Sequence, residues 1–464
     1  MSTAPVLVYP TISWQERGAT HTARWRSEAG VAPPKRVVIA DDTMSADRAW
    51  RLACEGTALL WRGDFQNARQ LLQALGRRAD QALHKKTGAG KPAVDQAITE
   101  EAAAEDLAAA DKHAGRRGVK GVKGVEGSAG VEGVKGAADK PLAADAAALP
   151  MQSASVVADA PAFPDAFHRH RMAQAQRART LGMLLLQFEP DHQIDLRRAP
   201  DVRRACMQAY GPDAGTPQRY AASLRELLGL ISAREWRKKG VEVAALDERI
   251  HPHYGVFAPV RSEYVNLVND APLMATDIAW DIGTGTGVLA AVLARRGVKR
   301  VVATDQDQRA LDCARDNLKR LGLNGRVEVI DADLFPPVTA APPGKQMPSP
   351  GLIVCNPPWL PGRPSAPLER AVYDFESRML RGFLAGVGVR LAPQGEAWLI
   401  LSDLAEHLGL RTRDELLGWI AAGGLKVLGR LDAKPVHPKV SDATDPLHAA
   451  RRAETTSLWR LARQ

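Results

Sequence analysis

Cysteine is scarce and scattered in this chain. Cys54, Cys206, Cys313 and Cys355 are the only four in 464 residues, with no CxxC pair and no histidine at ligand spacing. That distribution argues against a disulfide framework and a zinc site, so no metal is expected, and it fits a reducing cytoplasm. Long apolar runs are missing too. The most apolar short stretch, GMLLLQF at 182–188, is far too short to cross a bilayer, so no membrane partner is expected. The opening residues, MSTAPVLVYPTISWQERG, lack the basic-then-apolar pattern of a signal peptide. Aromatics make up 5% of the chain and vanish between Gln66 and Ala162. The middle of that stretch is rich in Ala, Gly, Lys and Glu and contains GVKGVKGVEGSAGVEGVKG at 118–136. Its triplets carry no proline, which excludes collagen. A composition of this kind cannot bury enough apolar surface to offset its ordering entropy, so a disordered insert is expected over 84–160.

What remains is long enough for two cores. The net charge is +9, which suits a polyanionic partner. Residues 44–80 read as helices, with Trp50, Cys54, Ala58 and Trp61 recurring at three- and four-residue steps, then Phe65, Ala68, Leu72 and Leu75. Asp64 is placed to cap the second helix. FHRHRMAQAQRARTLGMLLLQF and YAASLRELLGLISAREWRKKG also read as helical. Residues 36–83 and 161–250 are therefore expected to form one helical N-terminal domain split by the insert. Its basic pairs and runs, Arg197, Arg198, Arg203, Arg204, Arg237, Lys238 and Lys239, form either a docking face or a solvated surface.

From about 270 the pattern changes to alternating strand and helix. Strands are expected at 277–281, 300–305, 326–331, 352–355 and 397–401, with helices at 286–296, 307–321 and 372–391 between them. Alternation at this spacing predicts an α/β domain with a Rossmann-like, doubly wound parallel sheet over 251–464. LKVLGRLDAK and TTSLWRLA are expected to add a terminal antiparallel pair.

The first of these strands runs into Asp281-Ile-Gly283-Thr-Gly285-Thr-Gly287. Glycines at 283, 285 and 287 allow a sharp turn and close approach of backbone to a ligand, ahead of a helix N-terminus. The spacing is G-x-G-x-G, not the G-x-G-x-x-G of nicotinamide sites, and an acid precedes it. Beside a pyrophosphate that acid would repel, whereas it attracts an ammonium. S-adenosylmethionine offers an ammonium, a sulfonium and no phosphate. Asp305 ends the second strand, where a carboxylate accepts from ribose hydroxyls. Asp333 follows the third and can accept from an adenine amino group, with Leu334 packed on the ring.

The fourth strand ends in Asn356-Pro357-Pro358-Trp359. The Asn356 side-chain oxygen and the Pro357 carbonyl are adjacent acceptors, and proline offers no competing N–H. Two acceptors side by side suit a planar NH2 group, and hydrogen bonds to both of its protons localise the nitrogen lone pair. Trp359 is expected to stack on the planar group. The sequence thus nominates Asn356, Pro357 and Trp359 for catalysis. For the cofactor it nominates Asp281, Gly283, Gly285, Gly287, Asp305, Asp333, Leu334 and again Asn356.

DIGTGTG, the TD of VVATD, DADLF and IVCNPPW together resemble the class I S-adenosylmethionine-dependent methyltransferases. More closely they resemble the small-domain group of release-factor glutamine and ribosomal-RNA guanine-N2 methyltransferases. The resemblance covers about 250–464. It implies cofactor contacts from Asp281, Gly283, Gly285, Asp305 and Asp333, and a target nitrogen held by Asn356 and Pro357. Phe257, Pro259 and Arg261 occupy the place of a segment that lines the cofactor's methionine end. That segment reads APVRSE where the glutamine enzymes carry a P-R-P-x-T-E-like string, and Trp rather than Tyr follows the two prolines. The expected substrate is macromolecular: a base amine in RNA or DNA, with RNA favoured, and a protein glutamine amide as the alternative. A non-catalytic docking module is a third reading.

Overall fold

The computed structural model describes residues 9–87, 163–211, 218–337, 348–364, 368–436 and 445–464. Two large sheets organise them. The first contains β1 (Thr11–Glu16), β2 (Ala19–Trp25), β3 (Arg36–Ala40), β4 (Thr57–Trp61), β5 (Leu184–Phe188) and β6 (Tyr220–Ser223), in the order β1-β2-β6-β5-β4-β3. Pairs β3/β4, β4/β5 and β2/β6 are parallel, while β1/β2 and β5/β6 are antiparallel.

This sheet corrects the expectation of a helical N-terminal domain, and the domain begins at β1 rather than at 36. Five helices do surround the sheet, at Ala46–Cys54, Phe65–Thr87, Phe163–Leu181, Arg203–Tyr210 and Leu224–Lys239. The apolar spacing from Trp50 to Trp61, however, runs across a break. The helix stops at Cys54, Gly56 takes the left-handed φ of 76°, and all five residues of β4 are buried. A strand buried on both faces shows no alternation and is easily read as helix. The same happens at Leu184–Phe188, a strand reached directly from the helix before it. Tyr220–Ser223 is also strand, and its Ser223 side chain then caps the helix by accepting from the Glu226 amide at 3.0 Å. Asp64 accepts from the Gln66 amide at 2.8 Å at the start of its helix, as its cap position implied. Helix extends to Thr87, so the boundary set at 84 moves outward, and 88–160 lies outside the described residues.

The second sheet contains β9 (Ile278–Ile282), β10 (Arg300–Asp305), β11 (Val327–Asp331), β12 (Leu352–Cys355), β13 (Glu396–Ser402), β14 (Leu425–Ala433) and β15 (Thr456–Arg463). Its order is β11-β10-β9-β12-β13-β15-β14. The first five are mutually parallel, and β15 runs antiparallel to both β13 and β14. Side chains alternate between two cores: Leu352 and Val354 face one, Ile353 and Cys355 the other. The first core is covered by helices Ser262–Asp270, Val288–Arg295 and Gln308–Arg320, the second by Arg378–Val387 and Arg413–Ala422. A small hairpin, β7 (Val241–Val243) and β8 (Glu248–Ile250), places Val243, Leu246 and Ile250 in the first core. The C-terminal domain therefore starts near 241, ten residues before the expected boundary.

From β9 the chain goes first to β10 on one side and returns later to β12 on the other. That reversal opens a crevice at the carboxyl ends of β9 and β12. Among the described residues no helix is long and apolar enough to cross a membrane.

Candidate active site

The glycine turn closes directly behind β9. Gly283, Gly285 and Gly287 have φ of 73°, 54° and 80°, a region that residues with a β-carbon rarely adopt. A β-carbon on Gly283 would lie 2.6 Å from Met379 Cε. The Gly283 and Thr284 amides both donate to the Thr304 carbonyl, at 2.9 and 2.8 Å, and pin the turn against the end of β10. Asp281 lies beneath. Its Oδ2 accepts from Thr284 Oγ1 at 2.7 Å and from the Ala290 amide at 3.0 Å, and only 1% of the residue is exposed. Burial pushes its carboxyl up to about 6 in spite of those two bonds. Asp281 and Gly287, both expected to contact the cofactor, are not among the residues lining the cleft. Asp281 staples the turn to the next helix from inside, and Gly287 lets that helix pack on Ala314.

Gly283, Gly285, Asp305, Asp333, Leu334 and Asn356 do share one cleft. Asp305 Oδ2 accepts from the Gly285 amide and its Oδ1 from the Asp307 amide, both at 3.0 Å. Burial raises its carboxyl above the ordinary range against the pull of those amides. Asp333 is exposed and pairs with Arg378 Nη2 at 3.2 Å. Leu334 has a left-handed φ of 70°, and its carbonyl accepts from Thr304 Oγ1 at 2.5 Å. That strained backbone is held between β10 and the helix Arg378–Val387.

Asn356 follows β12 immediately. Its Oδ1 accepts from Trp359 Nε1 at 2.9 Å. The guanidinium of Arg261 lies 4.8 Å from the centre of the Trp359 ring. The indole expected to stand open for stacking therefore has its N–H engaged with Asn356 and a cation over its ring. Beyond it, the Asp374 carboxylate accepts from the amides of Met379 and Leu380, at 2.9 and 3.0 Å, and starts the next helix. Arg171 of the N-terminal domain sits 3.9 Å from the Tyr373 ring centre and pairs with Glu369 at 3.2 Å.

His251 and His253 serve packing. His251 Nδ1 meets the Arg237 carbonyl at 2.7 Å, and His253 Nε2 meets Asp316 at 3.0 Å. Burial lowers the His253 ring's affinity for a proton. Among the described residues no group of three or more His, Cys, Asp or Glu is placed to hold a metal.

Sequence reasoning missed the opposite wall of the cleft, which includes Trp25, Arg171, Arg177 and Glu226 of the N-terminal domain. No motif marks them, because they converge only after folding. Several of the basic residues singled out in sequence are paired with carboxylates. Arg198 bonds Asp64 at 2.6 Å, Arg203 bonds Asp201 at 2.9 Å and Arg237 bonds Asp316 at 3.0 Å. Arg309 links the domains beside the Asp305 turn, donating to Glu28 Oε2 at 2.5 Å and the Ala209 carbonyl at 3.1 Å.

The residues present suit S-adenosylmethionine. A side chain at Gly283 would fill the turn, and Asp305 retains acceptor capacity beyond its backbone bonds, since a carboxylate has about four lone-pair sites. Residues 250–407 match the family described as Methyltransferase small domain. A tRNA1(Val) (adenine(37)-N6)-methyltransferase of Shewanella halifaxensis is 32% identical over 146 residues, 31% of this chain and 57% of the relative. A release factor glutamine methyltransferase of Chlorobaculum tepidum is 36% identical over 100 residues, 21% of this chain and 33% of the relative. A ribosomal protein L11 methyltransferase of Sorangium cellulosum is 31% identical over 137 residues, 30% of this chain and 33% of the relative. The chain thus spans less than two thirds of the length of each of these relatives. Sheet order, glycine turn and family match agree: residues 250–407 of the C-terminal domain match the methyltransferase small domain, and the chain is similar there to class I S-adenosylmethionine-dependent methyltransferases.

Proposed function

We propose that the chain is an N-methyltransferase that acts on a planar amino nitrogen, with an exocyclic base amine in RNA as the favoured target. The observation that carries this reading is the position of Asn356. It stands at the carboxyl end of β12, in the same cleft as Gly283, Gly285 and Asp305. The Asn356 side-chain oxygen and the Pro357 carbonyl accept from the two N–H groups of the target. Those bonds localise the nitrogen lone pair and aim it across the cleft. Asp305 accepts from hydroxyls of the cofactor's ribose, and Asp333 and Leu334 border its base. S-adenosylmethionine, when bound, supplies an electrophilic methyl group. Catalysis then rests on positioning and electrostatics, without a covalent enzyme intermediate.

Similarity to an adenine-N6 methyltransferase for tRNA supports a base amine. Similarity to a release factor glutamine methyltransferase favours a second reading, in which the target is a protein glutamine amide. Both groups are planar and present two N–H donors. The test is to incubate the protein with tritium-labelled S-adenosylmethionine and extract from cells lacking its gene, then separate RNA, DNA and protein. Label in RNA that disappears with Asn356→Ala supports the main reading. Label in protein replaces it with the second, and label in no fraction overturns both.

A further inference from the structure

Asparagine has a weakness as an acceptor. Its oxygen and its NH2 have nearly the same shape, and a half-turn about the last bond exchanges them. An inverted Asn356 would point donors at a donor and reject the target amine. Something has to keep the oxygen facing the right way.

The indole N–H of Trp359 does this chemically. It is a donor only, so a bond at 2.9 Å to Asn356 marks that atom as oxygen. It takes one lone pair and leaves the second for the target. The indole is held in turn. The Arg261 guanidinium lies 4.8 Å from its ring centre, and Trp359 packs against both cores of the C-terminal domain. Arg261 is gripped by Glu263 at 2.6 Å and Glu454 at 3.1 Å, two carboxylates whose side chains are 6% and 3% exposed. The Glu454 oxygen that bonds Arg261 also accepts from Ser402 Oγ at 2.6 Å, at the end of β13.

We propose that Glu454, Arg261 and Trp359 form a positioning relay that locks the orientation of the Asn356 amide. The inference rests on the reading of Asn356 as the acceptor for the target amine. It gives the C-terminal segment ahead of β15 a part in catalysis, although Glu454 lies 193 residues from Arg261 in the chain. None of the three touches the target nitrogen in this account. They act through Asn356.

Two measurements test it. The first is hydrogen exchange at the Trp359 indole, followed in protein labelled with 15N-tryptophan and assigned by the resonance lost in Trp359→Phe. Exchange in the native protein is expected to be slow. Glu454→Ala is expected to speed it, with Glu454→Gln, which can still accept from Arg261 and Ser402, restoring most of the protection. The second is the rate of methyl transfer, using labelled S-adenosylmethionine and RNA from cells lacking the gene. Trp359→Phe keeps the ring and loses the N–H. It is expected to slow transfer by about 10- to 100-fold at saturating cofactor, as small misplacements of a reacting group do. Cofactor affinity should stay within about two-fold, because the indole N–H bonds Asn356 and neither the glycine turn nor Asp305. An equal loss of cofactor affinity would reduce Trp359 to a packing residue and overturn the relay. Unchanged indole exchange in Glu454→Ala would also overturn it, with the function reading left standing. A native protein that transfers no label to RNA or to protein from the same cells would remove the role of Asn356, and the proposal with it.

Discussion

The two domains are both built on six- or seven-stranded sheets, and they treat the polar residues at their strand ends differently. In the N-terminal sheet, Asp64 follows β4. It is 4% exposed and occupied by Arg198 and the Gln66 amide, while its carbonyl accepts from the Trp61 indole at 3.0 Å. In the C-terminal sheet, Asp305 ends β10 while Asp333 and Asn356 follow β11 and β12, and all three line the cleft. Asp64 is closed into the fold, whereas the polar groups at the C-terminal strand ends border open space. Each domain also holds a carboxyl, half-buried in one and buried in the other, that its surroundings push up to about 6. Glu226 accepts from Tyr210 Oη at 2.8 Å, and Asp281 lies under the glycine turn. Burial is the largest cause in both cases, so the cost of a buried acid is shared while the chemistry is not.

Damage to one domain should separate from damage to the other, and the largest effect belongs to the platform. Trp61 is 2% exposed, and Trp61→Ala should destabilise the N-terminal domain by about 3–5 kcal/mol. Calorimetry would show this as a lowered transition, and cofactor affinity should hold within a few-fold. A proportional loss of cofactor binding would mean that the two domains behave as one unit.

Next in size, Asn356→Ala should slow methyl transfer by about 10²–10³-fold, in line with removal of a preorganised hydrogen-bonding group. Titration calorimetry should find cofactor affinity nearly unchanged. Asp305→Ala should do the reverse and weaken cofactor binding by about 10- to 100-fold, the range for hydrogen bonds to a charged group. If both substitutions acted on the same quantity, the division of the cleft into cofactor and target sides would fail.

The smallest effect is a pH dependence. Asp281 holds its proton more tightly folded, at about 6, than unfolded, near 3.9. Its contribution to stability is therefore complete below about pH 4 and is lost as pH rises through about 6. Between pH 7.5 and pH 5 the native protein should gain about 1 kcal/mol relative to Asp281→Asn. Glu226→Gln should lose a similar slope from the other domain. Urea midpoints at the two pH values would measure both, and parallel curves for variant and native protein would refute either shift.

The C-terminal domain was legible because its elements are punctuated. Strands β10 and β12 fall where the sequence placed them, and β9, β11 and β13 differ by a residue or so at their ends. Each stops at or just before glycine, an acid or Asn-Pro-Pro, and β9 and β10 run straight on to helices with a clear period. The terminal antiparallel pair also forms, with Leu425 opposite Arg463 and Ala433 opposite Thr456. The first sheet was not legible for the reason that makes it stable. Thr57–Trp61 and Leu184–Phe188 lie inside a core, where nothing alternates.

In the site the division is similar. Asn356 and the strand-end acids could be named because strand ends carry chemistry in a wound sheet. Asp281 and Gly287 were named with them, and both lie buried behind the turn, off the cleft lining. Trp359 was given an open face because a sequence does not show that Arg261 lies over the ring.

By itself the sequence determined which residues end strands, where backbone can turn sharply, and that an amide with two prolines closes a buried strand. Those properties belong to local stereochemistry and to composition over a few residues. Tertiary structure alone decided which polar groups face the cleft, which domain supplies its far wall, and how Glu454 comes to lie beside Arg261. Such contacts join residues more than a hundred positions apart, and no local pattern records them.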